Sequence, residues 1–101
     1  MGTGHAPGVG AAGAGSVAVR IRYLSAVREK SGTRRDDLSL PIGSTLAAAA
    51  AWIRRERGIE VPSAGLMGTL NGHGWTQLAA GTATVLNEGD EIALFPLLSG
   101  G

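Results

Sequence analysis

Apolar and polar residues alternate from Val17 to Tyr23, with Val17, Val19, Ile21 and Tyr23 on one side and Ala18, Arg20 and Arg22 on the other. A period of two predicts a strand that buries one face. The segment Leu24 to Gly32 then places Leu24, Val27 and Arg28 at helical spacing before a glycine, which predicts a short helical turn or tight loop. Between Thr33 and Gly43 the alternation returns through Leu38 and Leu40 and meets Pro41, predicting a second, antiparallel strand that the proline ends.

The period lengthens after Ser44. Leu46, Ala49, Ala50, Ile53 and the stem of Arg57 fall on one helical face, with Ser44 as the expected cap and Gly58 as the left-handed stop. The Ala47 to Ala51 run is a strong helix former suited to close packing on a sheet, with Trp52 on the flank of the stripe. Gly58 to Gly65 reads as a loop with a proline. Gly68 to Leu78 reads as a short strand, a turn at Asn71-Gly72 and another short strand. Thr82 to Leu86 is expected as a brief helical connector and Glu88-Gly89-Asp90 as a tight turn. Glu91 to Phe95 is the last strand, apolar on both faces and therefore expected inside the sheet.

One convincing helix among these strands argues against a ferredoxin-like sandwich, which needs two. The order predicts an α+β fold, a β-grasp: a mixed sheet of four to five strands, the first two forming a hairpin, the last lying beside the first, and the helix packing across them. Residues 1–15, rich in Gly and Ala and lacking both charge and periodicity, are expected as a flexible arm, 16–96 as the domain and 97–101 as an extended tail.

Composition narrows the function classes. Nine basic residues against eight acidic ones leave a net charge of +1, no basis for a nucleic-acid or anionic-membrane partner. The chain has no cysteine, so neither a disulfide nor Cys/His-held zinc is expected. No apolar run reaches the ~20 residues of a membrane span and no signal sequence is evident, so a cytoplasmic location is the default expectation.

Candidate chemistry is sparse. Gly8-Val9-Gly10-Ala11-Ala12-Gly13 carries the letters of a dinucleotide fingerprint but lacks the preceding strand and following helix that the chemistry needs. His73 sits between glycines with no second ligand nearby, and no nucleophile, base and orienting group form a set. Arg34-Arg35 and Arg54-Arg55 with Arg57 could dock an acidic partner, but Asp36, Asp37 and Glu56 interleave with them as on a solvated face.

The tail is different. Pro96 cannot donate to a ladder, so it is expected to end the last strand and turn the chain outward. Leu97 and Leu98 are then expected to be exposed, as in a docking segment. Gly100 and Gly101 carry no side chain and could thread a narrow cleft, presenting a carboxylate. With 17 glycines in 101 residues the pair alone says little, and its setting is what gives it weight.

Asn87-Glu88-Gly89-Asp90-Glu91-Ile92-Ala93-Leu94-Phe95-Pro96, followed by Ser99-Gly100-Gly101, resembles the C-terminal signature of the MoaD/ThiS sulfur-carrier family. The likeness continues through Tyr23 to Glu29, Gly32, the Ser44-Thr45-Leu46 helix start and Leu70-Asn71-Gly72, spanning about residues 17 to 101. The resemblance implies a ubiquitin-like β-grasp without catalysis of its own, a permanently bound cofactor or a metal. It implies that an E1-like enzyme of the MoeB/ThiF type uses ATP, with its Mg ion, to adenylate the Gly101 carboxylate. That group becomes a thiocarboxylate and supplies sulfur to a biosynthetic enzyme such as the molybdopterin synthase large subunit. Phe95, Pro96, Leu97, Leu98, Ser99 and Gly100 would be the partner-binding segment. The Leu94-Phe95-Pro96 ending is more similar to the molybdopterin synthase small subunit than to the thiamin carrier, although Leu97 stands where that subunit commonly has a second proline. A permanent subunit of that synthase, a ubiquitin-like modifier and an inert interaction module are the competing expectations.

Overall fold

The computed structural model describes residues 15–97. The Gly8 to Gly13 motif, the arm as far as residue 14, and Leu98, Ser99, Gly100 and Gly101 lie outside the described residues. The elements follow the order β1 (Ser16–Tyr23), α1 (Val27–Ser31), β2 (Arg35–Pro41), α2 (Leu46–Arg57), β3 (Leu66–Leu70), β4 (His73–Gly74) and β5 (Asp90–Pro96). Two 3-10 turns, Trp75–Gln77 and Gly81–Ala83, lie between β4 and β5. The sheet order is β2-β1-β5-β3-β4, with β1 and β5 parallel and the other neighbours antiparallel. This is the expected β-grasp.

Period-two alternation gives β1 its inward face: Val17, Val19, Ile21 and Tyr23 are all buried. Leu46, Ala49 and Ile53 of α2 join them, with Leu38, Ile92 and Leu94, in one core. Gly32 and Gly58 close the two helices in the left-handed conformation, at φ 78° and 69°. Asn71 and Gly72, at φ 52° and 86°, make the tight β3–β4 turn read from the sequence.

Two sequence expectations change, the Ser44 cap and the second short strand, and two are sharpened, the Gly58 to Gly65 loop and the interior position of β5. Ser44 does not cap α2: Thr45 occupies that position without a side-chain cap bond. The Leu46 N–H instead donates to the Thr84 carbonyl, and the Ser44 carbonyl accepts the Leu86 N–H, both at 2.9 Å. A tertiary bridge thus satisfies the Leu46 N–H, one of the donors that a helix N-terminus leaves orphaned. The Gly58 to Gly65 loop supplies core, because Ile59 and Val61 are buried. The second short strand shrinks to His73–Gly74, and Trp75 turns inward over Gly68. Finally, β5 is interior because β1 and β3 flank it, while only its Ile92 and Leu94 face is fully buried; Ala93 and Phe95 are half-buried on the side away from α2.

Candidate functional site

The Asn87 to Glu91 stretch is an architectural device that aims β5. Gly89, at φ 85°, donates its N–H to the Ala18 carbonyl at 2.8 Å, while Glu88 Oε1 accepts the Ala18 N–H at 2.9 Å. Asp90 is buried and takes the Asn87 N–H at 2.7 Å and the Asn71 side-chain amide at 3.0 Å. Asn71 Oδ1 in turn accepts the Glu91 N–H at 2.9 Å. These bonds tie the start of β5 to β1 on one side and to the β3–β4 turn on the other, fixing its register.

From there the backbone alternates. The Leu94 carbonyl accepts the Leu24 N–H beyond the end of β1, and the Leu97 N–H donates to the Gly65 carbonyl before β3, both at 2.9 Å. Odd-numbered residues of β5 therefore bond toward β3 and even-numbered ones toward β1. Pro96 is even-numbered and lies past the last β1 contact, so its missing N–H faces a side with no strand to pair. Pro96 is the last residue of β5, as expected, and is still paired there with Leu66; one further backbone bond, from the Leu97 N–H to the Gly65 carbonyl, follows it.

On the outer face Phe95 lies opposite Met67 and Ala93 opposite Thr69, with Leu97 following Phe95 at 54% exposure. Phe95, Met67 and Leu97 thus form an apolar strip leading toward the C-terminus, a surface suited to burial by another protein. Met67 was not singled out from the sequence; its value comes from the cross-strand register. On the inner side of Pro96 opens a cleft of about 290 Å³, with Val27, Ile59 and Leu66 in its wall and Lys30 and Glu60 contributing charge. Phe95, Pro96 and Leu97 are therefore brought together at one end of the sheet. Leu98, Ser99, Gly100 and Gly101 lie outside the described residues.

Other candidates disperse. His73 is exposed at the β3–β4 hairpin, and among the described residues no three His, Cys, Asp or Glu side chains gather as a metal site. No helix among them is long and apolar enough to cross a membrane. Arg54 and Arg55 pair with Glu60 and Glu56 at 3.9 and 3.3 Å. Arg57 does something else: its Nε and Nη2 both donate to the Asp36 carboxylate, which also accepts the Tyr23 hydroxyl at 2.7 Å. Burial alone would raise the Asp36 pKa, but the hydrogen bonds from Arg57 and Tyr23 outweigh it and hold the carboxyl below its ordinary range. Burial, then the hydrogen bond to Asp36, pushes the Tyr23 phenol well up. This cluster joins α2 to β1 and β2 and is structural.

The body resembles known structures over most of its length. The HVO 2177 protein of Haloferax volcanii matches with a TM-score of 0.70 at 23% identity, covering 86% of this chain and 89% of its own. The small archaeal modifier protein 1 of Methanosarcina acetivorans matches at 0.69 and 21%, covering 85% and 98%. A putative molybdopterin converting factor subunit 1 of Pyrococcus furiosus matches at 0.69 and 22%, covering 82% and 100%. At such identities the likeness is one of fold. The sequence matches no curated protein. It does match the ThiS family over residues 21–101, from β1 through β5 to Gly101, and the chain belongs to that family.

Proposed function

We propose that the protein is a sulfur carrier whose Gly101 carboxylate is the group other enzymes transform. The observation that supports this most is the ThiS-family match running through Gly101, on a body whose last strand delivers Leu97 to the surface. In the first step a carboxylate oxygen attacks the α-phosphorus of ATP on an E1-like enzyme, and pyrophosphate leaves. A sulfide equivalent then adds to the carbonyl carbon and AMP departs with the original oxygen, leaving a thiocarboxylate. The carrier contributes position: a sheet, an apolar strip of Phe95, Met67 and Leu97 for docking, and a sequence whose last two residues, Gly100 and Gly101, carry no side chain.

A second reading, a modifier joined through Gly101 to lysines of other proteins, draws on the fold shared with the small archaeal modifier. A third, a fixed small subunit of molybdopterin synthase, draws on the Pyrococcus furiosus neighbour. Incubation with E1-like enzymes, ATP and a sulfide source, followed by intact mass measurement, separates the first two. Exchange of one oxygen for one sulfur supports the carrier, a lysine-linked conjugate supports the modifier, and an unchanged mass refutes both. Co-elution with a large subunit through gel filtration identifies the third.

A further inference from the structure

Arg22 of β1 stands directly opposite Arg35 of β2 in the strand register. Like charges so placed repel and cost stability. Two residues along the same face, Arg20 opposite Asp37 shows the complementary arrangement that the fold could have used throughout. Arg28 from α1 and Arg34 from the β1–β2 connection join the pair around a shallow groove of about 670 Å³ whose lining contains no carboxylate. Of the nearby acids Asp36 is held by Arg57, while Glu91 reaches Arg22 and Asp37, shared with Arg20, reaches Arg35, each at 3.7 Å from outside the groove's lining. Arg28 and Arg34 make no ion pair among the described residues. The groove also abuts β5, because Leu24 in its wall donates its N–H to the Leu94 carbonyl.

We propose that this arginine groove docks a carboxylate-rich segment of the enzyme that activates the carrier's C-terminus. Guanidinium forks match carboxylates bidentately, and four of them around one groove, two with a single long ion pair each and Arg28 and Arg34 with none among the described residues, ask for an acidic partner. Nucleic acid fits less well, since the one aromatic in the wall, Tyr23, is buried and offers no stacking face, and the whole chain carries only +1. In the second arginine set read from the sequence every arginine has a carboxylate partner, Glu60, Glu56 or Asp36, whereas Arg28 and Arg34 have none among the described residues. The identity of the occupant rests on the sulfur-carrier reading; the chemistry of the groove does not.

The test has two arms. In the first, the full chain, isotope-labelled, is titrated with a polyglutamate peptide while backbone amide shifts are followed. Shifts confined to residues around Arg22, Arg28, Arg34 and Arg35, fading as salt rises, support the groove. No shift, equal shifts around Arg54 and Arg55, or tighter binding of an oligouridylate or of phosphatidylserine vesicles at the same amides overturns it. In the second arm, conversion of Gly101 by an E1-like enzyme with ATP is followed for wild type, Arg28→Glu/Arg34→Glu, the milder Arg28→Gln/Arg34→Gln, and the control Arg54→Glu/Arg55→Glu. The charge-reversed groove is expected to raise KM about tenfold or more with kcat unchanged, the neutral pair less, and the control under about twofold. Equal KM for all four overturns the docking role. Failure of wild type to be converted would remove the carrier reading and the occupant with it, while the peptide arm still decides the groove's chemistry.

Discussion

The Leu97 N–H donates to the Gly65 carbonyl, one residue after a proline that the sequence presents as the end of the strand. The ladder passes Pro96 because its missing donor points to the side that β1 has already left. Pro96→Ala is therefore expected to gain no hydrogen bond and to lose only the proline's restriction of the unfolded chain, a destabilisation under about 1 kcal/mol. Urea unfolding checks this, and a clear stabilisation by alanine would show that the proline does cut the ladder.

Asp36, held below the usual carboxylate range by Arg57 and Tyr23, links stability to pH. An unfolded aspartate titrates near ~3.9, so the contribution is complete above that value and is lost as pH falls through the lower folded one. Asp36→Asn is expected to be less stable than wild type at neutral pH, with the gap narrowing below about pH 4. A gap that does not change between neutral and acid pH in denaturant titrations would contradict it.

How much of this was legible beforehand depended on the range of the interaction. The alternation of β1, the Asn71-Gly72 turn and the Gly58 stop are local, and each was readable from neighbours in sequence. Ile59 and Val61 lie in a loop without periodicity, so only the assembled core reveals their burial. The start of α2 depends on Thr84 and Leu86, some forty residues away, so Ser44 was the natural but wrong choice. At the candidate site Phe95, Pro96 and Leu97 could be named in advance, whereas Met67 depends on strand register, and which arginines lack a carboxylate partner among the described residues, Arg28 and Arg34, depends on where each carboxylate points.

Gly68 is buried under the Trp75 ring, and a Cβ built there would lie 2.7 Å from Trp75 Cε2. Gly68→Ala is expected to push the indole aside and destabilise by about 1 to 3 kcal/mol. The near-ultraviolet circular dichroism should change with the urea midpoint; no change in either would mean that the close approach is absent in solution.

Leu94 is fully buried in β5 between β1 and β3. Leu94→Ala should cost about 2 to 5 kcal/mol through the cavity it leaves. An unaltered urea midpoint would place this strand elsewhere.

The most direct measurement concerns Gly101 itself. After incubation with an E1-like enzyme, ATP and a sulfide source, the C-terminal proteolytic fragment is weighed for the full chain and for a chain lacking Gly101. Sulfur in place of one oxygen on the fragment ending in Gly101, absent from the shortened chain while both melt at the same temperature, is the predicted result. Sulfur incorporated elsewhere, or equally into the shortened chain, would contradict a carrier that works through its final carboxylate.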